Sequence, residues 1–218
     1  MTVTQVSAKE LFQAAYENRY TWDQNFPGYT ADVTYNYDGQ VVTAKLHIDA
    51  SLKAEVSEIE DEAAKKAIHG QAWETAIHRV RRSFNDTHGA NTFSYGETDA
   101  NGAVEIIMGG KASGDKYKIH HNEVVLVHRH IHGVVITINT FTSHQTGEGY
   151  LSHTYDSVYH DPQTGVQKGG KSYFTDEYVQ VGNYHILSRR EIRTEVEGKI
   201  NTQEYIFSNI QLLETVAA

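Results

Sequence analysis

The chain has 218 residues, of which 39% are hydrophobic, 22% charged and 11% aromatic, and it contains no cysteine. This composition is typical of a globular protein with one core, so we expect a single domain over residues 1–218, without disulfides, thiolate metal sites or cysteine nucleophiles. The formal net charge of −9 argues against a nucleic-acid partner, because neutralising phosphates requires clustered Lys and Arg.

The first predicted element is a helix over residues 8–20. Ser7 and Glu10 are spaced as in a capping box, in which each side chain satisfies the other residue's free backbone amide. Apolar residues then recur at intervals of three and four, as on one face of a helix. Pro27 and Gly28 predict a turn after this segment.

A β-hairpin is predicted next. Apolar residues alternate with polar ones over 31–37 and again over 42–48, and Asp38-Gly39 between them is a strong hairpin turn. Residues 52–56 are predicted to extend the second strand.

A long second helix is predicted over residues 61–84. Its apolar stripe runs at helical spacing, with acidic residues at its start and arginines near its end, as the helix dipole favours. The stripe consists of Ala64, Ala67, Ile68, Ala72, Trp73, Ala76, Ile77, Val80 and Phe84.

The remainder of the chain reads as strands separated by turns, without a helical segment between them. This pattern argues against parallel βαβ architecture and predicts an antiparallel meander. A sheet of nine or ten strands curls, because each strand twists relative to the next. The fold class we predict is α+β: a single large curled antiparallel sheet, or half-barrel, with the two helices packed on its concave face.

The sequence resembles two families. The segments 27–29, 31–34 and 189–192 resemble the outer-membrane lipoprotein carriers of the LolA and LppX type. The segments 151–155, 161–165 and 208–212 look like a cyanobacterial family of unknown function, over nearly the whole chain. The resemblance implies an apolar cavity between sheet and helices, where the carriers hold acyl chains. Periplasmic lipoprotein transport is not carried over, because residues 1–10 show no export signal.

The localisation we expect is cytoplasmic. Residues 1–10 lack a basic region followed by an apolar stretch. No apolar segment approaches the roughly 20 residues that cross a bilayer, so we expect no transmembrane segment. The oligomeric state is left open.

Three histidines, His128, His130 and His132, are candidate metal ligands. On a strand they share one face, with about 6.6 Å between successive ones. A site requires either the first two or the last two of them, because the outer two are too far apart to share an ion, together with a ligand from another strand. Candidates for that ligand are Asp and Glu side chains and His47, His120, His153, His160 and His185. Two alternative interpretations remain. The histidines belong to a solvated strand face, or they form a group that becomes protonated and positively charged near pH 6.

A glycine-rich run over residues 165–172 matches the phosphate-loop pattern. That pattern binds phosphate only between a parallel strand and a helix N-terminus, whereas strand-forming residues follow Ser172 here. We therefore expect the match to be accidental. No catalytic residue is predicted.

Three functional hypotheses remain open. The first is a non-enzymatic module that binds a lipid, a pigment or a similar lipophilic molecule. The second is a metal-binding protein or metal-dependent enzyme, and the third is an assembly protein with a filled cavity. The residues expected to line a lipophilic cavity, if they are not ordinary core, are Val33, Tyr35, Tyr37, Trp73, Ile77, Val80 and Phe84. No cofactor is identified.

Overall fold

The structure is a computed structural model that describes residues 6–214, in which three helices and twelve strands follow one another. The helices are α1 (Ala8–Glu17), α2 (Glu62–Arg79) and α3 (Phe84–His88). The strands are β1 (Gly28–Tyr37), β2 (Gln40–Asp49), β3 (Ala54–Ser57), β4 (Asn91–Thr98), β5 (Val104–Gly110), β6 (Lys116–His120), β7 (Glu123–Ile131), β8 (Val134–Gln145), β9 (Tyr150–His160), β10 (Gln167–Val181), β11 (Tyr184–Val196) and β12 (Lys199–Leu212).

All twelve strands belong to one antiparallel sheet with the order β3-β2-β1-β12-β11-β10-β9-β8-β7-β6-β5-β4. Every pair of neighbours is consecutive in sequence except β1 and β12, which pair from Tyr29–Leu212 to Tyr37–Gln203. The sheet ends at β3 and β4, so it is not closed into a barrel. This arrangement confirms the α+β class and the single antiparallel sheet that the period-two patterns predict.

Two strands differ from the sequence prediction. Residues 54–57, expected to extend β2, form a separate strand, because a turn at 50–53 reverses the chain. Residues 91–98 were not predicted as a strand of their own. Their pairing with β5 shifts register between Tyr95 and Thr98, and this irregularity around Gly96 obscures the alternation.

The capping box at the start of α1 is confirmed. The Glu10 amide donates to Ser7 Oγ over 3.2 Å, and the Ser7 amide donates to Glu10 Oε2 over 2.8 Å. The two residues therefore satisfy amides that the first helical turn leaves without backbone partners. The helix ends at Glu17, three residues before the predicted end.

The second helix is shorter than predicted. It ends at Arg79, and Val80 adopts an extended conformation that bridges to Trp22. Ser83 then caps α3 by accepting the Asp86 amide, so Phe84 belongs to a separate helix. The Ser83-x-x-Asp86 spacing is a capping signal that a continuous apolar stripe over 61–84 conceals.

The contacts of the chain group it into two compact units. The first unit comprises residues 6–20 and 82–173, and the second comprises 21–81 and 174–214. The single domain over residues 1–218 stays a prediction.

In the first unit, α1 and α3 pack with β4, β6 and β7 around an aromatic core. Phe12 lies at its centre, with ring centroids 4.6 Å from Tyr117, 5.0 Å from His88 and 5.9 Å from Phe84. Ile106, Met108 and Ile119 complete this core from the sheet.

In the second unit, α2 packs with β2 and β3 through small residues. Its buried positions are Ala64, Ile68, Ala72, Thr75 and Ala76. From the sheet, the buried alternate positions of β1 and β2 face the core, among them Val33, Leu46 and Ile48.

Candidate functional site

Three of the predicted cavity residues, Val33, Tyr35 and Tyr37, lie on one face of β1 in the second unit. Val33 and Tyr35 are buried, and the Tyr35 ring stacks on the rings of Tyr37 and Tyr205 at 4.6 and 4.4 Å. The Tyr37 hydroxyl donates to the carboxylate of Asp61, the N-cap of α2. These contacts are those of a packed core, and a ligand-binding role for the three residues stays a prediction.

Of the four predicted cavity residues that follow, three lie in the second unit and one lies in the first. Trp73 was expected between helix and sheet, but it is 53% exposed, because α2 turns its alanine face to the sheet instead. Ile77 and Val80 are half-buried in the second unit. Phe84 lies in α3 and belongs to the aromatic core of the first unit. The prediction of one continuous helical stripe from Ala64 to Phe84 is therefore wrong, because α2 ends at Arg79. A ligand-binding role for these four residues stays a prediction.

The histidine strand is only partly as predicted. His128 and His130 lie on one face of β7, with ring centroids 5.8 Å apart. His132 lies beyond the end of β7, in a turn where its φ is +50° and that of Gly133 is +78°. The alternation therefore stops at Ile131, and the expectation that all three histidines share a strand face is wrong for His132.

An apolar strip crosses three strands of the first unit. Val127 of β7 packs against the aromatic core, and its cross-strand neighbour on β8 is Ile138. Two residues before Ile138 on β8, Ile136 lies opposite Tyr159 of β9. Directly opposite residues point to the same face of a sheet, and so do alternate residues of one strand. Val127, Ile136, Ile138 and Tyr159, here called the apolar strip, therefore continue the face on which α1 packs.

The apolar strip is incompletely covered. The helix α1 packs on β4, β6 and β7, on the far side of the strip from β9. Val127, Ile136 and Ile138 remain half-buried, and Tyr159 is 41% exposed. Sequence patterns did not single out this strip, because its residues alternate like those of any half-buried strand. The only signal is the run of β-branched residues at the start of β8.

A cationic side chain lies at one end of this strip. Arg129 lies opposite Ile136 and therefore on the same face, and its side chain is 42% exposed. Its Nε lies 3.4 Å from Oδ2 of Asp115, a carboxylate that is almost entirely buried. The strip therefore combines apolar surface with an accessible guanidinium.

A polar depression of about 520 Å³ lies in the second unit. Asp32 is one of its lining residues and accepts hydrogen bonds from Lys45 and from Asn209. These hydrogen bonds, that of Lys45 first, lower the pKa of Asp32. The depression is lined mainly by polar side chains, so it does not correspond to the expected apolar cavity.

The phosphate-loop match is placed on a strand. Residues 167–181 form β10, and within the described part of the chain, up to residue 214, no helix begins after Ser172. Lys171 Nζ lies 2.6 Å from Oδ2 of the buried Asp156, and this contact raises the pKa of Lys171. The geometry that wraps a phosphate is therefore not formed by these residues. Among residues 6–214, no helix is long and apolar enough to span a membrane.

Comparison with known proteins decides the family. Residues 3–213 match the model of a family described as a protein of unknown function, DUF3386. The chain belongs to the DUF3386 family. This match confirms the predicted membership of a family of unknown function. None of the curated proteins that were compared matches this DUF3386 chain.

Solved structures resemble this DUF3386 protein only distantly. A LolA superfamily protein from Nitrosomonas europaea is 8% identical, with a TM-score of 0.35, over 97% of this chain and 96% of that chain. A chain of the MucA/MucB complex of Pseudomonas aeruginosa is 7% identical, with a TM-score of 0.23, over 95% of this chain and 99% of that chain. At these values we transfer neither fold nor function from them.

Proposed function

We propose that this protein binds a lipophilic small molecule with an anionic head group on the apolar strip of its first unit. The observation that carries the proposal is the half-exposed state of four apolar side chains on the face where α1 packs. Apolar side chains that adjoin a core but stay partly exposed form a surface on which an apolar ligand binds.

The expected affinity follows from the buried hydrocarbon. Each methylene group removed from water contributes about 0.8 kcal/mol, so eight to ten groups contribute roughly 6–8 kcal/mol before the cost of association. A micromolar dissociation constant corresponds to about 8 kcal/mol. Because the cost of association is still to be subtracted, we expect a dissociation constant above the micromolar range for a medium-length acyl chain alone, and a head-group contact lowers it.

Arg129 provides that contact in the proposal. Its guanidinium borders the row that Ile136 and Tyr159 form, and guanidinium groups bind carboxylates through paired hydrogen bonds. The pairing of its Nε with Asp115 leaves the side chain accessible. A fatty acid should therefore bind more tightly than the fatty alcohol of equal length.

The test is a titration of the full chain with a fluorescent fatty acid, followed by displacement with an unlabelled acid and with its matched alcohol. Ile138→Glu places a charge in the strip and should weaken binding of both ligands by at least about tenfold. Val158→Glu is the matched control, because Val158 is half-buried on the opposite face of the sheet and should retain parental affinity. Arg129→Gln should weaken only the acid. Circular dichroism checks that each variant is folded.

Two outcomes would overturn this site. Equal loss of binding in Val158→Glu and Ile138→Glu would assign the effect to the fold and not to the strip. Loss of binding in Ile77→Glu, with parental affinity in Ile138→Glu, would place the ligand at α2, where the sequence predicted it. If no acid or alcohol binds the parent protein, the proposed function is wrong.

A further inference from the structure

Two histidines of the first unit lie in direct contact across neighbouring strands. His144 belongs to β8 and His153 to β9. His144 Nε2 lies 3.0 Å from His153 Nδ1, and the centroids of the two rings are 4.4 Å apart. Both side chains are half-buried. These two residues are here called the histidine pair.

A local irregularity of the sheet brings the histidine pair together. Thr142 of β8 pairs with Thr154 of β9, and the next residue of β8, Ser143, pairs with Ser152. His153 is therefore one extra residue of β9 between these two pairs. Such β-bulges change the direction of a side chain and are frequent beside functional sites. The bulge thus explains how a residue from each strand presents a ring nitrogen to the other.

The strands that carry the histidine pair are fixed on both sides of it. On one side, the hydroxyls of Thr142 and Thr154 lie 2.6 Å apart. On the other side, the Tyr150 amide donates to the Asn18 carbonyl over 3.0 Å, and the Tyr150 carbonyl accepts the Tyr20 amide over 2.9 Å. Because these contacts hold both strands, the histidine pair loses little freedom when it binds a ligand.

The separation of the two facing nitrogens suits a shared metal ion. Two nitrogens that each lie about 2.0 Å from one ion are about 2.8 Å apart at a right angle and about 3.3 Å apart at a tetrahedral angle. The observed distance of 3.0 Å falls within this range. An ion can therefore replace the hydrogen bond between the rings with only a small rotation of the side chains.

The protonation of the rings is compatible with this exchange. In a hydrogen bond between two neutral imidazoles, one of the two facing nitrogens carries a proton. An ion that binds both facing nitrogens requires that proton on the other nitrogen of its ring. Metal binding therefore changes the tautomer of one ring, and neither neutral imidazole has to lose its proton.

We propose that His144 and His153 bind one Cu²⁺ ion, through Nε2 of the first and Nδ1 of the second. Copper has the highest affinity for imidazole among the divalent first-row ions, and its tetragonal geometry accepts two neighbouring nitrogens together with oxygen ligands. Zinc sites typically use three or four protein ligands, so a pair of imidazoles favours copper. Thiolates do not compete for the ion, because the chain contains no cysteine.

The test is calorimetric titration of chelator-treated full-length protein with copper(II) chloride. We expect the affinity of one site to fall by at least about tenfold in His144→Ala and in His153→Ala. Electron paramagnetic resonance of the parent with one equivalent of copper should show two coordinated nitrogens. His132→Ala is the matched control, because His132 is an exposed histidine in a turn of the same unit and should leave binding unchanged.

Further variants make the proposal falsifiable even if an alanine variant unfolds. His153→Gln keeps a hydrogen-bonding side chain but lacks the imidazole, so it should stay folded by circular dichroism and lose the copper. Parental copper affinity in His153→Gln, an equal loss in His132→Ala, or no copper binding by the parent overturns the proposal. So does a loss in His128→Ala/His130→Ala while His144→Ala binds as the parent does. Fatty-acid binding by His144→Ala should be unchanged, which separates this site from the apolar strip.

Discussion

The two units hold their helices against the sheet in different ways. In the first unit, aromatic rings surround Phe12 of α1, and the buried His88 is part of this aromatic core. In the second unit, alanines let α2 approach the sheet, and an ion pair between Asp176 and Arg190 lies beside it. Packed aromatic rings stabilise the first unit without requiring hydrogen bonds of fixed geometry. A buried ion pair, by contrast, is stable only if all its hydrogen bonds are formed.

The ion pair of the second unit is well satisfied. Arg190 Nε and Nη2 donate to the two carboxylate oxygens of Asp176 over 2.7 and 2.6 Å, and Nη1 donates to Gln71 of α2 over 2.8 Å. Both side chains are almost completely buried. This pairing therefore joins α2 to β10 and β11 in the second unit. The comparison between the two units can be sharpened by three measurements.

The largest effect is expected from Asp176→Ala. Removing one partner leaves the guanidinium of Arg190 buried without its carboxylate, which costs about 3–5 kcal/mol. The measurement is the free energy of unfolding of the full chain in urea. The double variant Asp176→Ala/Arg190→Met should recover a large part of this loss. If the single variant costs less than about 1 kcal/mol, the pair does not hold the second unit together.

An intermediate effect on stability is expected from lowering the pH, through the buried His88 of the first unit. Burial, and then the charges of Arg129 and Arg19, lower the pKa of His88 from 6.5 to about 4, while Asp115 opposes the shift. The unfolded chain protonates this imidazole at a higher pH than the folded chain does. The free energy of unfolding therefore decreases as the pH falls from 6.5 towards 4. The loss amounts to about 3 kcal/mol.

The matching measurement compares the parent with His88→Phe in urea at several pH values. The difference in unfolding free energy between the two proteins should grow in favour of the variant below pH 6.5 and level off near pH 4. Carboxylates common to both proteins cancel in this difference. Parallel pH profiles would show that His88 is not buried in its neutral form.

The smallest effect is expected at two threonines. Among residues 6–214, the buried hydroxyl of Thr75 in α2 is the one buried side-chain polar atom without a hydrogen-bond partner. Thr75→Val should therefore stabilise the chain by about 1 kcal/mol, because a buried unpaired polar group is removed. Thr87→Val of α3 is the counterpart, because its hydroxyl lies 3.0 Å from that of Tyr16. We expect it to destabilise by about 0.5–1 kcal/mol, as measured by thermal unfolding.

The sequence by itself determined the elements whose signals are local. The capping box of Ser7 and Glu10 marks the start of α1, and the Asp38-Gly39 turn sets the register of the β1–β2 hairpin. The absence of helical patterns after residue 92 determined the antiparallel sheet. Each of these features depends on residues only a few positions apart, so propensity and spacing decide it.

Only the tertiary structure decided the features that depend on distant partners. The bridge between Val80 and Trp22 ends α2, and the closely packed alanines leave Trp73 in solvent. The turn at His132 removes that residue from its strand. The apolar strip exists because α1 packs mainly on β4, β6 and β7. The energy of these arrangements lies in contacts between residues far apart in sequence, and no local pattern encodes them.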